Sequence, residues 1–195
     1  MRLHDPLDDL LGSRARVRVL RALCNSPGRE FSGRELSRLA HVSLTQTQSA
    51  LEDFLRAGVV LRRAMGRSDQ WSLETENRLL PRLIGLFRAE APLLSNLRRE
   101  IAASLRRVPV QRAVVFGSVA RGEERSESDV DLLIEVANED DERRALDALL
   151  DVRMQAIGRY GVSLHPLVLT PRHRSEINPN VLDGAARDGI PVLEE

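Results

Sequence analysis

The sequence predicts a two-domain protein: an N-terminal α+β segment of three helices and a hairpin, a helical linker, and a C-terminal α/β unit on a small mixed sheet. Three observations predict it. Apolar residues recur at helical spacing up to Gly58, and strand and helix patterns alternate from Arg112 onward. Charge divides along the same line. Residues 1–108 hold 19 Arg against 12 Asp and Glu, a balance of +7, and residues 109–195 hold 10 against 17, a balance of −7. A basic part joined to an acidic part suggests two tasks.

The bulk composition limits the class. The chain has 195 residues, 42% hydrophobic and 30% charged, as in soluble globular proteins. No apolar run is long enough to span a bilayer, and the first residues, MRLHDPLDDLLGS, lack the apolar core of a secretory signal. The one cysteine, Cys24, has no internal disulfide partner and reads as a small core residue. A cytoplasmic location without membrane attachment is the expectation. All 29 basic residues are arginine, which explains the choice of cation but not the gathering of acids in the second half.

The domains are expected at residues 1–78, 79–107 and 108–195. In the first, SRARVRVLRALCNS sets Val17, Leu20, Leu23 and Cys24 on one stripe, with Ser13 as N-cap. SGRELSRLA carries Ser32 and Glu35 at capping-box spacing, and SLTQTQSALEDFLRAG carries Ser43 and Gln46 in the same way. The core face of this third helix reads as Leu44, Thr47, Leu51 and Leu55, with Phe54 beside them, and Gly58 stops it. VVLRR and QWSL then flank an arginine-rich turn, a hairpin pattern. In this order of elements, and in VSLTQTQSALEDFLRAGVV, residues 10–75 resemble the winged helix-turn-helix family. The resemblance implies binding to double-stranded DNA. Ser43, Thr45, Gln46, Gln48 and Ser49, on or at the start of the third helix, are the candidates for base or phosphate contact, and Arg62, Arg63 and Arg67 on the hairpin for phosphates or a minor groove.

In the linker, Leu80, Ile84, Phe87, Ala91, Leu94, Ile101 and Leu105 recur in steps of three and four, interrupted at Arg98, and Pro92 kinks the run or starts a second helix. Two readings stand: a homodimerisation helix, or a linker packed on its own domains.

The C-terminal part reads as strand RAVVFGS, strand SDVDLLIEV, an amphipathic helix through DDERRALDALLDVRMQAIGRYG, strand VSLHPLVLT, helix NVLDGAARDG and a last short strand IPVL. In SDVDLLIEV, Asp129, Asp131, Leu133 and Glu135 share one face, and Val130, Leu132, Ile134 and Val136 share the other, the buried one. Two carboxylates at i and i+2 on an open face suit a hard cation such as Mg²⁺. Gly117 permits a tight turn after the first strand, Ser118 starts a short helix whose N–H groups favour phosphate, and Arg121 offers a cation.

Joined, these elements make FGSVARGEERSESDVDLLI, in which ten residues separate Gly117-Ser118 from Asp129-x-Asp131. The stretch resembles the polymerase-β-like nucleotidyltransferases, most of all their minimal branch, over residues 108–195. The resemblance implies that Gly117 and Ser118, with Arg121 assisting, grip a nucleoside triphosphate. It further implies that Asp129 and Asp131 are catalytic residues holding Mg²⁺ or Mn²⁺. The family places a third carboxylate on a following strand, and here that position falls on His165. Imidazole is a poor Mg²⁺ ligand. Glu135 is roughly 13 Å along the strand from Asp131, too far to substitute. Three readings stand: His165 is a general base in catalysis, the domain binds nucleotide without transferring it, or the register is one residue off and Ser163 or another group fills the place. Pro166 fits an edge strand or a bulge. His4, His41 and His173 form no ligand spacing with His165.

The expected function is therefore a DNA-binding regulator whose second domain binds a metal-nucleoside triphosphate with weak or lost transfer. One alternative is an active enzyme moving a nucleoside monophosphate onto a hydroxyl of a protein or small molecule. Another, implied by the minimal branch, is an antitoxin-like partner of a small helical toxin.

Overall fold

The computed structural model describes residues 3–4, 11, 13–66, 68–123 and 128–193. Contacts divide the chain into two units, with the main break between Ala91 and Pro92; Leu3 and His4 group with the second unit. Each unit has its own core.

The first unit runs α1 (Arg14–Cys24), β1 (Phe31–Ser32), α2 (Gly33–Leu39), α3 (Leu44–Arg56), β2 (Val60–Met65), β3 (Ser68–Leu73) and α4 (Leu80–Glu90). The hairpin β2–β3 is joined by β1, which pairs antiparallel with β3, Phe31 opposite Trp71, to give the order β1-β3-β2. The sequence shows no strand pattern at β1, since two residues carry no periodicity. Both capping boxes form: Ser32 Oγ accepts from Glu35 N at 3.2 Å, and Ser43 Oγ from Gln46 N at 3.3 Å. Ser13 sits at the N-cap of α1 but makes no side-chain capping bond. On α3, Thr47 and Leu51 are buried as the spacing predicts. Leu44 is exposed instead, and Ala50 takes the core place. Between α2 and α3, His41 holds the left-handed conformation (φ 50) where helices usually end on glycine. Val42 N bonds to Ser37 O at 3.1 Å and His41 N to Arg38 O at 3.3 Å. This Schellman closure lets the chain reverse in a few residues. Burial pushes the Cys24 thiol up to about 11, as suits an inert core residue.

The segment 79–107 forms two helices, with Pro92 as the N-cap of the second. Leu80 and Phe87 of α4 are buried in the first unit. Glu90 is buried there too, and its carboxylate accepts from Arg21 Nε at 2.8 Å and Nη2 at 3.0 Å, which offsets the cost of burying charge. In α5 (Leu93–Leu105), Leu97, Ile101 and Leu105 are buried in the second unit. The seam residues of the two helices thus serve two separate cores. Arg98, which interrupts the pattern, donates from Nε to Pro191 O at 2.7 Å.

The second unit continues through β4 (Val110–Phe116), α6 (Gly117–Ala120), β5 (Val130–Val136), α7 (Glu139–Tyr160), β6 (Leu164–Leu169), a 3-10 turn (His173–Ser175), α8 (Pro179–Asp188) and β7 (Ile190–Pro191). The sheet order is β6-β5-β4-β7, with β5 and β6 parallel and the other pairs antiparallel. Asn138 caps α7 through Asp141 N at 2.9 Å, and Gly161 ends it in the left-handed conformation. One face of the sheet is packed with side chains of α5 and α7, and Val130, Leu132, Ile134 and Val136 are fully buried on it. The other face is not open as the sequence suggested. Leu133 is buried with Val114, Leu169 and Ala185, so α8 covers its middle. At the end holding Asp129 and Asp131, Asp129 is exposed and Asp131 half-buried. Among the described residues no helix is long and apolar enough to cross a membrane.

Candidate functional site

The site forms where β4 ends and β5 and β6 begin. Phe116 pairs with Asp131 across β4 and β5, so the turn after Phe116 lies against that aspartate. Gly117 takes φ +79, and a Cβ built on it would stand 2.6 Å from Asp131 Oδ2. Two independent requirements exclude a side chain here: the backbone angle, and the carboxylate packed against the Cα. α6 is a single turn closed by the Arg-Gly pair. Glu123 N bonds to Ser118 O at 2.9 Å and Gly122 N to Val119 O at 3.1 Å, with Gly122 at φ +66. This is a second Schellman closure, and it supplies the physical reason for the glycine after Arg121. Arg121 itself pairs with Glu123 at 2.8 Å, so its cation already has a carboxylate.

The third strand answers the question of register. β6 is an edge strand, which tolerates Pro166, and its pairing with β5 runs without a bulge. Asp131 and His165 are direct partners. Ser163 lies outside the ladder and contributes its carbonyl, which accepts from Val130 N at 2.8 Å. The alternative placing Ser163 in the third position is thereby corrected. His165 Nε2 stands 3.7 Å from Asp129 Oδ2. The side chains of His165 and Asp129 are 60% and 46% exposed, while Asp131 is half-buried.

Burial pushes the Asp131 carboxyl above its ordinary range; His165 draws it down and Asp129 pushes it up. Among the described residues neither aspartate has an arginine partner, and no three His, Cys, Asp or Glu side chains come together as a self-sufficient metal centre. The donor set fits one hard cation. Two carboxylates share one strand face, and Mg²⁺ binds through one or two carboxylates together with phosphate oxygens. It does not fit a second such cation, because the third position holds nitrogen. Glu135 is engaged elsewhere, with Arg174 at 3.1 Å and Arg112 at 3.8 Å. A hollow of about 500 Å³ opens beyond the opposite ends of β5 and β6, lined by Ala137, Asn138 and Thr170, away from the aspartates.

In the first unit, Thr45, Gln48 and Ser49 are exposed on α3. Ser43 and Gln46 are exposed too, but they are bonded to each other, Ser43 Oγ donating to Gln46 Oε1 at 2.9 Å. Arg62 pairs with Glu52 of α3 at 3.0 Å and Asp69 at 3.4 Å, and lies over the Trp71 ring. Arg63 pairs with Glu30 at 3.2 Å. Arg67 lies outside the described residues. A cleft of about 890 Å³ runs between α3 and the hairpin, lined by Leu44, Gln48, Glu52, Asp69 and Trp71 among others. Sequence reasoning missed these pairings, because they join residues that no short pattern relates.

Comparison with known proteins bears on the second unit. Residues 97–182 match the family model described as a nucleotidyltransferase domain. A stretch of 71 residues is 39% identical to "Putative protein adenylyltransferase MJ1305" of Methanocaldococcus jannaschii, covering 34% of this chain and 47% of that protein. The chain thus spans about half the length of the curated relative it matches. Among solved structures, TrmBL2, described as an archaeal chromatin protein with a novel mode of DNA binding, aligns over 93% of this chain and 77% of its own. Its TM-score is 0.33 at 17% identity, too low to equate the folds. The second unit carries a nucleotidyltransferase domain.

Proposed function

We propose that the chain is a DNA-binding regulator whose second unit binds a metal-nucleoside triphosphate and transfers nucleotide weakly. The observation that carries this reading is the direct pairing of Asp131 with His165, beside a Gly117 turn that only glycine can make. When bound, a Mg²⁺ ion would supply charge neutralisation of the phosphates, held by Asp129 and Asp131. Gly117 and Ser118 would bring the first turn of α6 to the triphosphate. His165 has the reach and exposure to take a proton from an acceptor hydroxyl, but it offers no oxygen for a second metal. That difference supports binding over efficient transfer.

Fluorescent ATP and GTP analogues with Mg²⁺ test the binding. Asp129→Asn is expected to weaken it at least tenfold, and unchanged affinity would refute the assignment. His165→Asp restores three carboxylates at one end of the sheet and is expected to raise label transfer from radiolabelled nucleoside triphosphates over wild type. If wild type transfers readily and His165→Asp loses activity, the enzyme reading is right and the histidine is its base. The curated relative's name favours that second reading, with a protein as acceptor.

The DNA-binding part rests on the helix, strand, helix, helix, hairpin order of the first unit, which is that of a winged helix-turn-helix, and on exposed Thr45, Gln48 and Ser49. A gel shift on the protein's own promoter tests it. No shift at low salt would refute it.

A further inference from the structure

Helix α7 carries an apolar stripe on its outer side. Among the described residues of the second unit, Leu150, Met154 and Ile157 are the large apolar side chains left exposed, at 50%, 79% and 64%. They recur at i, i+4 and i+7, so they fall on one line along the helix. Three exposed side chains at helical spacing form a contiguous patch, unlike scattered single ones, and such patches mark interaction sites.

The charges on the same helix point to the partner. Glu139 pairs with Arg172, Asp140 with Arg143, Asp141 with Arg144, Glu142 with His173 and Arg159 with Glu100. Asp147, Asp151 and Arg153 are exposed and make no ion pair among the described residues. At 3.6 residues per turn, Asp147 and Asp151 lie along one edge of the stripe and Arg153 along the other. The face is therefore apolar in the middle, acidic on one side and basic on the other.

We propose that α7 is a self-association face. Two copies of the chain pack their stripes side by side with the helices parallel, about a two-fold axis along the helix direction. Only that symmetry turns the acidic edge of one copy to the basic edge of the other, so that Asp147 and Asp151 meet Arg153 twice. An axis perpendicular to the helices sets like edge against like edge, and the charges repel. The contact is isologous, as two-fold interfaces are. One helix face is smaller than a standard interface of about 1,600 Å², so association in the micromolar range is expected.

Sedimentation equilibrium of the full chain across micromolar concentrations tests this. A reversible dimer is expected. Met154→Asp with Ile157→Asp should weaken it about 100-fold with an unchanged circular dichroism spectrum. Charge exchange separates packing from pairing. Arg153→Asp alone, and Asp147→Arg with Asp151→Arg alone, should each self-associate poorly, and a mixture of the two should recover the dimer. Orientation is read by oxidation. Leu150→Cys and Ile157→Cys should each cross-link to themselves, whereas an antiparallel pair can satisfy one at most. Native Cys24 is buried and does not interfere. A chain that stays monomeric, a dimer indifferent to the stripe substitutions, a mixture that fails to recover, or cross-linking at only one position overturns the proposal.

Discussion

The hairpin of the first unit and the open end of the second unit's sheet both gather charge, and they treat it oppositely. On the hairpin, Arg62 has two carboxylates and Arg63 has one. At the sheet end, Asp129 and Asp131 stand on one face with no arginine partner among the described residues, and the imidazole of His165 lies 3.7 Å from Asp129. Charge balanced within the chain needs nothing further and contributes little to stability at a surface. Charge left unbalanced in a partly buried place is costly unless a ligand completes it. The acidic end therefore leaves two carboxylates without an arginine partner among the described residues, while Arg62 and Arg63 of the hairpin already have carboxylate partners.

The comparison can be broken first at the sheet end. Gly117→Ala forces a Cβ against Asp131 in a backbone conformation that side chains avoid. An expected loss of about 2–4 kcal/mol in urea unfolding, together with loss of nucleotide binding, would follow. A change under about 0.5 kcal/mol would mean that the turn relaxes and that the close approach is not a requirement. The hairpin gives a smaller effect. Glu52→Gln with Asp69→Asn releases Arg62 without removing it, and DNA affinity is expected to rise about tenfold, with one more unit in the salt slope. Unaltered affinity and slope would show that Arg62 belongs to the scaffold alone. The smallest effect sharpens the backbone side of the comparison. His41 sits in the left-handed conformation with its side chain exposed, so His41→Gly should raise stability by about 0.5–1 kcal/mol in thermal melts. A loss would show that the imidazole makes a contact worth keeping.

Much of this was legible in one dimension. The capping boxes at Ser32 and Ser43, the buried face of β5 and the level of His165 depend on spacing and strand alternation, which a short window contains. The Gly-Ser to Asp-x-Asp spacing was legible because a turn and a strand start must meet at one sheet end. The missed features are long-range. β1 is two residues that become a strand only against Trp71. Leu133 looked solvent-facing because alternation says nothing of a helix returning some fifty residues later to cover that face. The arginine partners were illegible for the same reason, since an ion pair is settled by tertiary approach and not by local pattern.

The uninterrupted pairing of β5 with β6 has a consequence for the history of the molecule. Histidine and aspartate codons differ by one base, CAY against GAY. With residue 165 already level with Asp131, a single point mutation carries the chain between two neighbouring states, one with three acids at the sheet end and one with two and an imidazole. No insertion or shift of strand register intervenes, so the two donor sets differ by one base at a position the ladder already aligns with Asp131.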